Sequence, residues 1–174
     1  MAVTTPYEGR PASEWDPAAA IDSPLRLHRC QVAPEWVDYN DHMTESAYLL
    51  VFGDNSDAFF RYFGIDETYR ASGCSLFTVE THLRNLREAD EGESLELALW
   101  VIAVDAKRVH IAHEMYRGRD GELIATAEQM LLHVDMTAGR TVPLPTYLHE
   151  RLEAIAAAHS SRPRPDWIGR SIGL

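Results

Sequence analysis

Five polar side chains stand close together in the segment 38–45. They are Asp38, Asn40, Asp41, His42 and Glu45. A carboxylate in such a group is a candidate base, and a base beside donors for a developing oxyanion is what acyl transfer needs. A simpler role is also open, in which Asp38 and Asn40 only shape a turn and Thr44 caps the following helix.

A helical pattern follows this polar group directly. At 100° per residue the segment 44–63 has one broad apolar stripe, and Gly64 can end the helix. The stripe consists of Ala47, Tyr48, Val51, Phe52, Ala58, Phe59, Tyr62 and Phe63. We therefore predict a central helix whose first amides point at the polar group, where they can stabilise an oxyanion. A carboxylate beside this apolar stripe should be partly desolvated and more basic. Asn55 lies within the stripe and needs a partner in the core or the site.

Alternating apolar and polar residues predict the strands. One precedes the loop and four follow the helix, over 25–32, 75–88, 94–105, 107–118 and 122–135. In the second of them, alternation places Glu80, His82 and Arg84 on one face and Phe77, Val79 and Leu83 on the other. Leu97–Val104 is apolar throughout, so both faces should be covered, one by the helix and the other by a further element, for which a partner subunit is a candidate. The element order is typical of an α+β domain in which a curled antiparallel sheet of about five strands wraps around the helix.

The composition fits one globular domain. Of 174 residues, 45% are hydrophobic and 25% charged. We predict an extended, proline-rich arm over 1–24, the main domain over 25–145, and a closing helix with an irregular tail over 146–174.

Charge and apolar length narrow the partners. A formal net charge of −11 disfavours nucleic acid, and Leu97–Val104, the longest apolar run, is too short to span a membrane. The first ten residues lack the basic and apolar parts of a secretory signal, so we expect a cytoplasmic protein.

Several familiar sites are excluded by their motifs. The chain has no G-x-G-x-x-G, G-x-x-x-x-G-K or H-E-x-x-H. His110 and His113 stand three apart on a predicted strand, so they face opposite sides and cannot easily share a metal ion. Ser75 lacks the second glycine of a nucleophile elbow. We therefore predict neither a metal nor a cofactor.

Val37–Met43, together with Tyr48, resembles the D-x-N-G-H-x-N-N-x-x-Y signature of 4-hydroxybenzoyl-CoA thioesterase-like hotdog proteins. The resemblance implies a hotdog fold that hydrolyses an acyl-CoA as a homodimer or larger homo-oligomer, with sites at subunit interfaces. It further implies that Asp38 attacks the thioester carbonyl or activates water, while Asn40 orients the carbonyl and His42 assists proton transfer. Asp41 replaces the usual glycine, and Thr44-Glu45 replaces two asparagines. Glu45 can replace or assist Asp38, or only complement the helix dipole.

A narrower likeness is to betainyl-CoA thioesterases of carnitine degradation. It is carried by Pro34–Asn40, Val51–Asp54, Glu80–Arg84 and Glu128–Asp135. It implies an acyl group with a fixed trimethylammonium charge, which aromatic faces and acidic side chains attract. The aromatic candidates are Trp36, Tyr39, Tyr48 and Trp100, and Asn55, Glu80, His82 and Arg84 are further candidates for the pocket or an interface. Two alternatives stay open, namely another short, aryl or fatty acyl-CoA as substrate, and a non-catalytic module that binds acyl thioesters.

Overall fold

The computed structural model describes residues 12–172 and consists of an antiparallel sheet around one long helix. The strands are β1 (Arg29–Gln31), β2 (Cys74–Asn85), β3 (Ser94–Val104), β4 (Arg108–Arg117), β5 (Leu123–Asp135) and β6 (Arg140–Thr141). The helices are α1 (Glu45–Phe63), α2 (Glu67–Ala71) and α3 (Thr146–Ser160). The predicted α+β class is confirmed. None of the helices within 12–172 has the length and hydropathy to span a membrane.

The sheet order differs from the chain order. The strands lie in the order β1-β3-β4-β5-β2, and β6 pairs with β5. Although β2 directly precedes β3 in the chain, the two strands are not neighbours in the sheet, and β2 is the edge strand beside β5. The first strand is shorter than predicted, because only one isolated bridge, Leu25 to Leu99, extends its pairing toward residue 25. Strand β6 was not predicted, because a strand of two residues is too short to show an alternation of apolar and polar side chains.

The apolar stripe of α1 forms the core as predicted. Val51, Phe52, Ala58, Phe59 and Phe63 are fully buried against β2 to β5. Gly64 ends the helix with φ of 122° and donates its N–H to the Phe60 carbonyl at 3.0 Å. In the predicted arm, residues 1–11 lie outside the described residues. The remainder contains a short turn at Ala12–Glu14 and packs Trp15 against Tyr62 at 5.8 Å.

The outer face of the sheet is covered by the chain itself. Trp167, in the irregular segment after α3, packs with Trp100 and Ala112 on the side away from α1. The Gly169 N–H donates to Glu128 at 2.7 Å and holds this segment in place. The prediction that both faces of β3 are covered is right as far as Val101, while Ala103 is exposed. The cover seen here is the C-terminal segment, so this part of the face is not left for a partner.

One predicted strand alternation is wrong. A bulge between Thr78 and Glu80 adds one residue to β2 relative to β5. Phe77 pairs with Leu132 and Glu80 with Met130, so both lie on the same outer face. Leu83 faces α1, as the alternation required, and Glu80, His82 and Arg84 do share one face. The extra residue, not the side-chain pattern, accounts for the error.

A buried polar network crosses the core between α1 and β2. The Asn55 side-chain amide donates to His113 Nδ1 at 2.9 Å, and His113 Nε2 lies 3.1 Å from Gln129 Oε1. Gln129 in turn donates to the Thr81 hydroxyl at 3.3 Å. These bonds fit a neutral imidazole protonated on Nε2, and burial lowers the pKa of His113 to about 4. Asn55 therefore has its partner in the core, one of the two predicted places.

The buried imidazole predicts a loss of stability in acid. The pKa of His113 in the folded protein lies below the ordinary value of 6.5, so protonation of this residue opposes folding. The stability that the neutral imidazole contributes is fully present above pH 6.5 and is lost as pH falls toward 4. We expect the free energy of unfolding to drop by about 2 kcal/mol between pH 7 and pH 5 from this residue. Urea unfolding of wild type and His113→Gln at both pH values measures it.

In His113→Gln the free energy of unfolding should no longer fall with pH on account of residue 113. The fall caused by His159 should remain, because burial lowers the pKa of His159 as well. His149→Gln, on the partly exposed surface of α3, is the matched control for removing a histidine outside the buried network. An unchanged slope in His113→Gln would show that His113 is not buried as a neutral group.

Candidate active site

The polar loop forms a tight turn closed by its own backbone. Val37 and Met43 form a bridge, and the Asp38 N–H donates to the His42 carbonyl at 3.0 Å. Asp38 Oδ1 accepts the Asn40 N–H at 2.8 Å. Asp38 thus shapes the turn, as the simpler role required. Within residues 12–172 no hydrogen bond or ion pair engages Oδ2 of this half-buried side chain, so it stays available for chemistry.

The backbone conformation of the turn explains why the signature usually has glycine at the position of Asp41. Asp41 has φ of 63°, in the left-handed region that glycine adopts most easily. Aspartate is among the few other residues that adopt this conformation at modest cost. The turn is therefore kept despite the substitution, and the Asp41 side chain is exposed.

The segment that follows β2 holds the loop in place. The Met43 N–H donates to the Ala89 carbonyl at 2.8 Å, and His42 forms a backbone bridge with Asp90. The His42 ring also points toward this segment, with Nε2 3.3 Å from the Glu88 carboxylate and 3.7 Å from the Asp90 carboxylate. His42 is thus oriented by Glu88 and not by Asp38. Residue spacing near His42 does not indicate this partner, because Glu88 lies far away along the chain.

The start of α1 has no side-chain cap, although the Ala47 N–H donates to the Thr44 carbonyl at 3.0 Å. Thr44 occupies the cap position, but its hydroxyl bonds to the Ser46 hydroxyl at 3.1 Å and caps no backbone amide. The prediction that Thr44 caps the helix through its side chain is therefore wrong. As a result, the Thr44 side chain does not occupy the first-turn amides that were predicted to stabilise an oxyanion.

A groove of about 500 Å³ lies beside this helix start. Its lining residues are Met43, Glu45, Tyr48, Asn85, Leu86, Arg87 and Glu88. The Tyr48 hydroxyl donates to the Arg87 carbonyl at 3.1 Å, and burial raises the pKa of this phenol. The Arg87 guanidinium is paired with Glu122 at 3.0 Å. Of the four catalytic candidates only Glu45 lines the groove, while Asp38, Asn40 and His42 belong to the adjoining turn.

The other candidates divide between the two faces of the sheet. Trp36 is partly buried against the cluster that contains Tyr48, and Tyr39 is 94% exposed at the tip of the turn. Trp100 lies on the outer face, where its indole donates to Glu114 at 2.9 Å. A separate outer cavity of about 270 Å³ is lined by Glu80 and His82. Within the described chain, Trp100, Glu80, His82 and Arg84 are not brought together with the loop.

Comparison with known sequences decides the family. The protein-family model of the thioesterase-like superfamily matches residues 32–154. This range is most of the chain and includes the turn and the residues that line the groove. The chain belongs to the thioesterase-like superfamily. A Pseudomonas aeruginosa relative named betainyl-CoA thioesterase is 44% identical over 151 residues, covering 86% of this chain and 95% of its own.

Further matches are longer than this chain or less similar to it in sequence. The L-carnitine dehydrogenase/betainyl-CoA thioesterase of Rhizobium meliloti is 45% identical over 159 residues, covering 90% of this chain but 32% of its own length. This chain thus spans about a third of such two-part relatives. A Staphylococcus aureus protein solved in complex with CoA has a TM-score of 0.81 at 23% identity, covering 90% of this chain and 99% of its own. That likeness confirms the hotdog fold.

The site of this thioesterase-like protein combines three chemical elements. Asp38 offers a carboxylate oxygen that the turn does not use, and Glu45 offers a second carboxylate in the groove. The start of α1, where the sequence predicts an oxyanion site, borders the same groove through Glu45 and Tyr48. Asn85 and Glu88, which the sequence patterns did not single out, complete the groove wall.

Proposed function

We propose that this chain hydrolyses acyl-CoA thioesters and that betainyl-CoA, giving glycine betaine and CoA, is its preferred substrate. The observation that carries the proposal is the uncommitted Asp38 Oδ2 in the turn beside the groove at the start of α1. The choice of acyl group is supported by the Pseudomonas aeruginosa relative, which matches almost end to end.

The proposed chemistry assigns a role to each residue of the turn. Asp38 either adds to the thioester carbonyl, giving an anhydride that water then hydrolyses, or removes a proton from the water that attacks. In both routes the carbonyl oxygen becomes an oxyanion held by first-turn amides, and the carbon–sulfur bond then breaks. Asn40 orients the carbonyl, and His42 supplies a proton to the departing CoA thiolate. Glu45 assists as a second carboxylate in the groove.

A panel of acyl-CoA substrates tests reaction and substrate together. Thiol release should be fastest with betainyl-CoA and slower with acetyl-, benzoyl- and palmitoyl-CoA, because only the first carries a cationic acyl group. A preference for a neutral acyl chain would replace betainyl-CoA by another substrate.

The departures at Asp41 and Thr44 favour a second candidate, a module that only binds acyl thioesters. Tight binding of every acyl-CoA in the panel without thiol release would support it and contradict hydrolysis.

We also propose that the protein acts as a homodimer joined along β2. This strand is at the edge of the sheet, and an edge strand presents unpaired backbone groups. It carries two exposed apolar side chains, Phe77 at 46% and Val79 at 54%, and α1 exposes Leu49 and Leu50. A second copy can cover these residues and bring another surface to the groove.

Val79→Lys should convert the dimer into monomers, because a buried unpaired charge is costly at such an interface. Light scattering after size exclusion should give twice the chain mass of 19.6 kDa for wild type and the single chain mass for the variant. Ala103→Lys, a matched change at an exposed residue of β3, which β4 and β5 separate from β2 in the sheet, should remain dimeric. A dimeric Val79→Lys would contradict pairing along this edge.

A further inference from the structure

We infer that Glu88 makes the groove selective for a positively charged acyl group. The inference rests on the proposed function and adds a specificity residue to it. Glu88 follows β2, outside the recognised signature, and its carboxylate lines the same groove as Glu45 and Tyr48. Its side chain is 74% exposed, so a ligand can reach it.

The charges that line the groove favour a cation. Among residues 12–172, Glu45 and Glu88 contribute two carboxylates to the lining, whereas the cationic side chain of Arg87 is paired with Glu122, which does not line the groove. Within the described part of the chain, Glu45 has no ion-pair partner, and Glu88 has only His42 at 3.3 Å. Other surface carboxylates such as Asp57, Asp105 and Asp120 are paired with arginines instead. The groove thus retains negative charge that the protein has not neutralised.

The remaining wall suits a trimethylammonium group. Such a group accepts and donates no conventional hydrogen bonds, so it is recognised by negative charge and by aromatic or apolar surface. Leu86 is partly exposed and supplies apolar surface, while only small parts of Tyr48 and Met43, 3% and 5% exposed, reach the groove. The Tyr48 ring is held by the bond from its hydroxyl to the Arg87 carbonyl at 3.1 Å. In a betainyl thioester the ammonium is one methylene away from the reacting carbonyl. A cation beside Glu88 therefore keeps that carbonyl close to Glu45 and the turn.

Glu88 is in contact with His42 at the rim of the groove. The His42 ring lies 3.3 Å from Glu88, and the backbone of residue 42 is bridged to Asp90. Recognition of the acyl group and the proposed proton donor are thus joined through one contact. This arrangement places the selecting charge at the rim of the groove without using Asp38.

Two substrates of the same shape isolate the charge. The neutral partner of betainyl-CoA is 3,3-dimethylbutanoyl-CoA, in which a carbon replaces the quaternary nitrogen. For each protein variant the ratio of kcat/KM for betainyl-CoA to that for the neutral analogue is measured by thiol release. Comparing the ratio between variants cancels both the different intrinsic reactivity of the two thioesters and any general loss of activity.

We expect Glu88→Gln to lower this ratio by about tenfold. Because Glu88 also orients His42, kcat/KM for the neutral analogue falls as well, and the ratio cancels this shared loss. Glu91→Gln is the matched control, since it removes the same charge three residues away and outside the groove. It should keep the wild-type ratio. Thermal unfolding verifies that both variants are folded.

The possible results separate this inference from the proposed function. An unchanged ratio in folded Glu88→Gln, with an active wild type, overturns the role of Glu88 and leaves the hydrolysis in place. An equal fall in Glu91→Gln overturns it as well, because the effect would then be general charge. A wild type that releases no thiol from either substrate overturns the proposed function itself.

Discussion

Asp38→Asn is expected to lower kcat for acyl-CoA hydrolysis by about 10³-fold or more, while the protein stays folded. An asparagine at this position keeps the volume of the side chain. Its Oδ1 can still accept the Asn40 N–H, which Asp38 accepts at 2.8 Å. The turn is therefore preserved, and only the charge on the second oxygen is lost. Without that charge the side chain can neither attack the thioester carbonyl nor accept a proton from water.

Asp41→Asn is the matched control for this variant. It makes the same chemical change three residues later, at an exposed residue with φ of 63° that asparagine also tolerates. We expect its kcat to stay within about threefold of wild type. Near wild-type hydrolysis by Asp38→Asn would refute the role of Asp38 and transfer the catalytic role to Glu45, the other carboxylate at the helix start.

Phe59→Ala is expected to lower the free energy of unfolding by about 3–5 kcal/mol. Phe59 is fully buried in the middle of α1, with its ring centroid 4.8 Å from that of Phe63. Removing the ring leaves a cavity between the helix and the sheet that the surrounding strands cannot fill. Because a domain is typically stable by about 5–15 kcal/mol, this is a large fraction of the total.

The neighbouring phenylalanine provides the comparison for stability. Phe60 is only partly buried, so Phe60→Ala should cost clearly less than Phe59→Ala in urea unfolding at neutral pH. Equal costs for the two variants would mean that α1 does not present the face to the sheet that its apolar stripe predicts. The acyl-CoA site depends on this packing, because α1 carries Glu45 and Tyr48 into the groove.

The helix and the turn were predictable because their signals are local. The apolar stripe repeats with the period of a helix, so the buried face of α1 follows from residue spacing alone. Asp38 and Asn40 similarly mark a turn by their types. The order of strands was not predictable, because alternation assigns faces and does not select neighbours. Pairing of β2 with β5, and the bulge at Thr78–Glu80, depend on contacts between distant parts of the chain.

The site was predictable to the same extent. Sequence spacing identified the turn and the start of α1, but it did not connect His42 with Glu88, which lies on another element. The groove wall at 85–88 lies within the predicted strand 75–88, but β2 ends at Asn85, so residues 86–88 leave the sheet and turn toward α1 instead of continuing the alternation. Trp100 was grouped with the other aromatic candidates by type, whereas its contact with Trp167 places it on the outer face. A side chain's type indicates its chemistry, and only the fold assigns its neighbours.

The rate of CoA release from betainyl-CoA by the wild-type protein tests the central proposal most directly. We predict saturable thiol release that yields one glycine betaine for each CoA and far exceeds the rate without protein. Release at the rate of the protein-free control, with betainyl-CoA bound to the folded protein, would contradict the proposal that this groove and turn hydrolyse an acyl thioester.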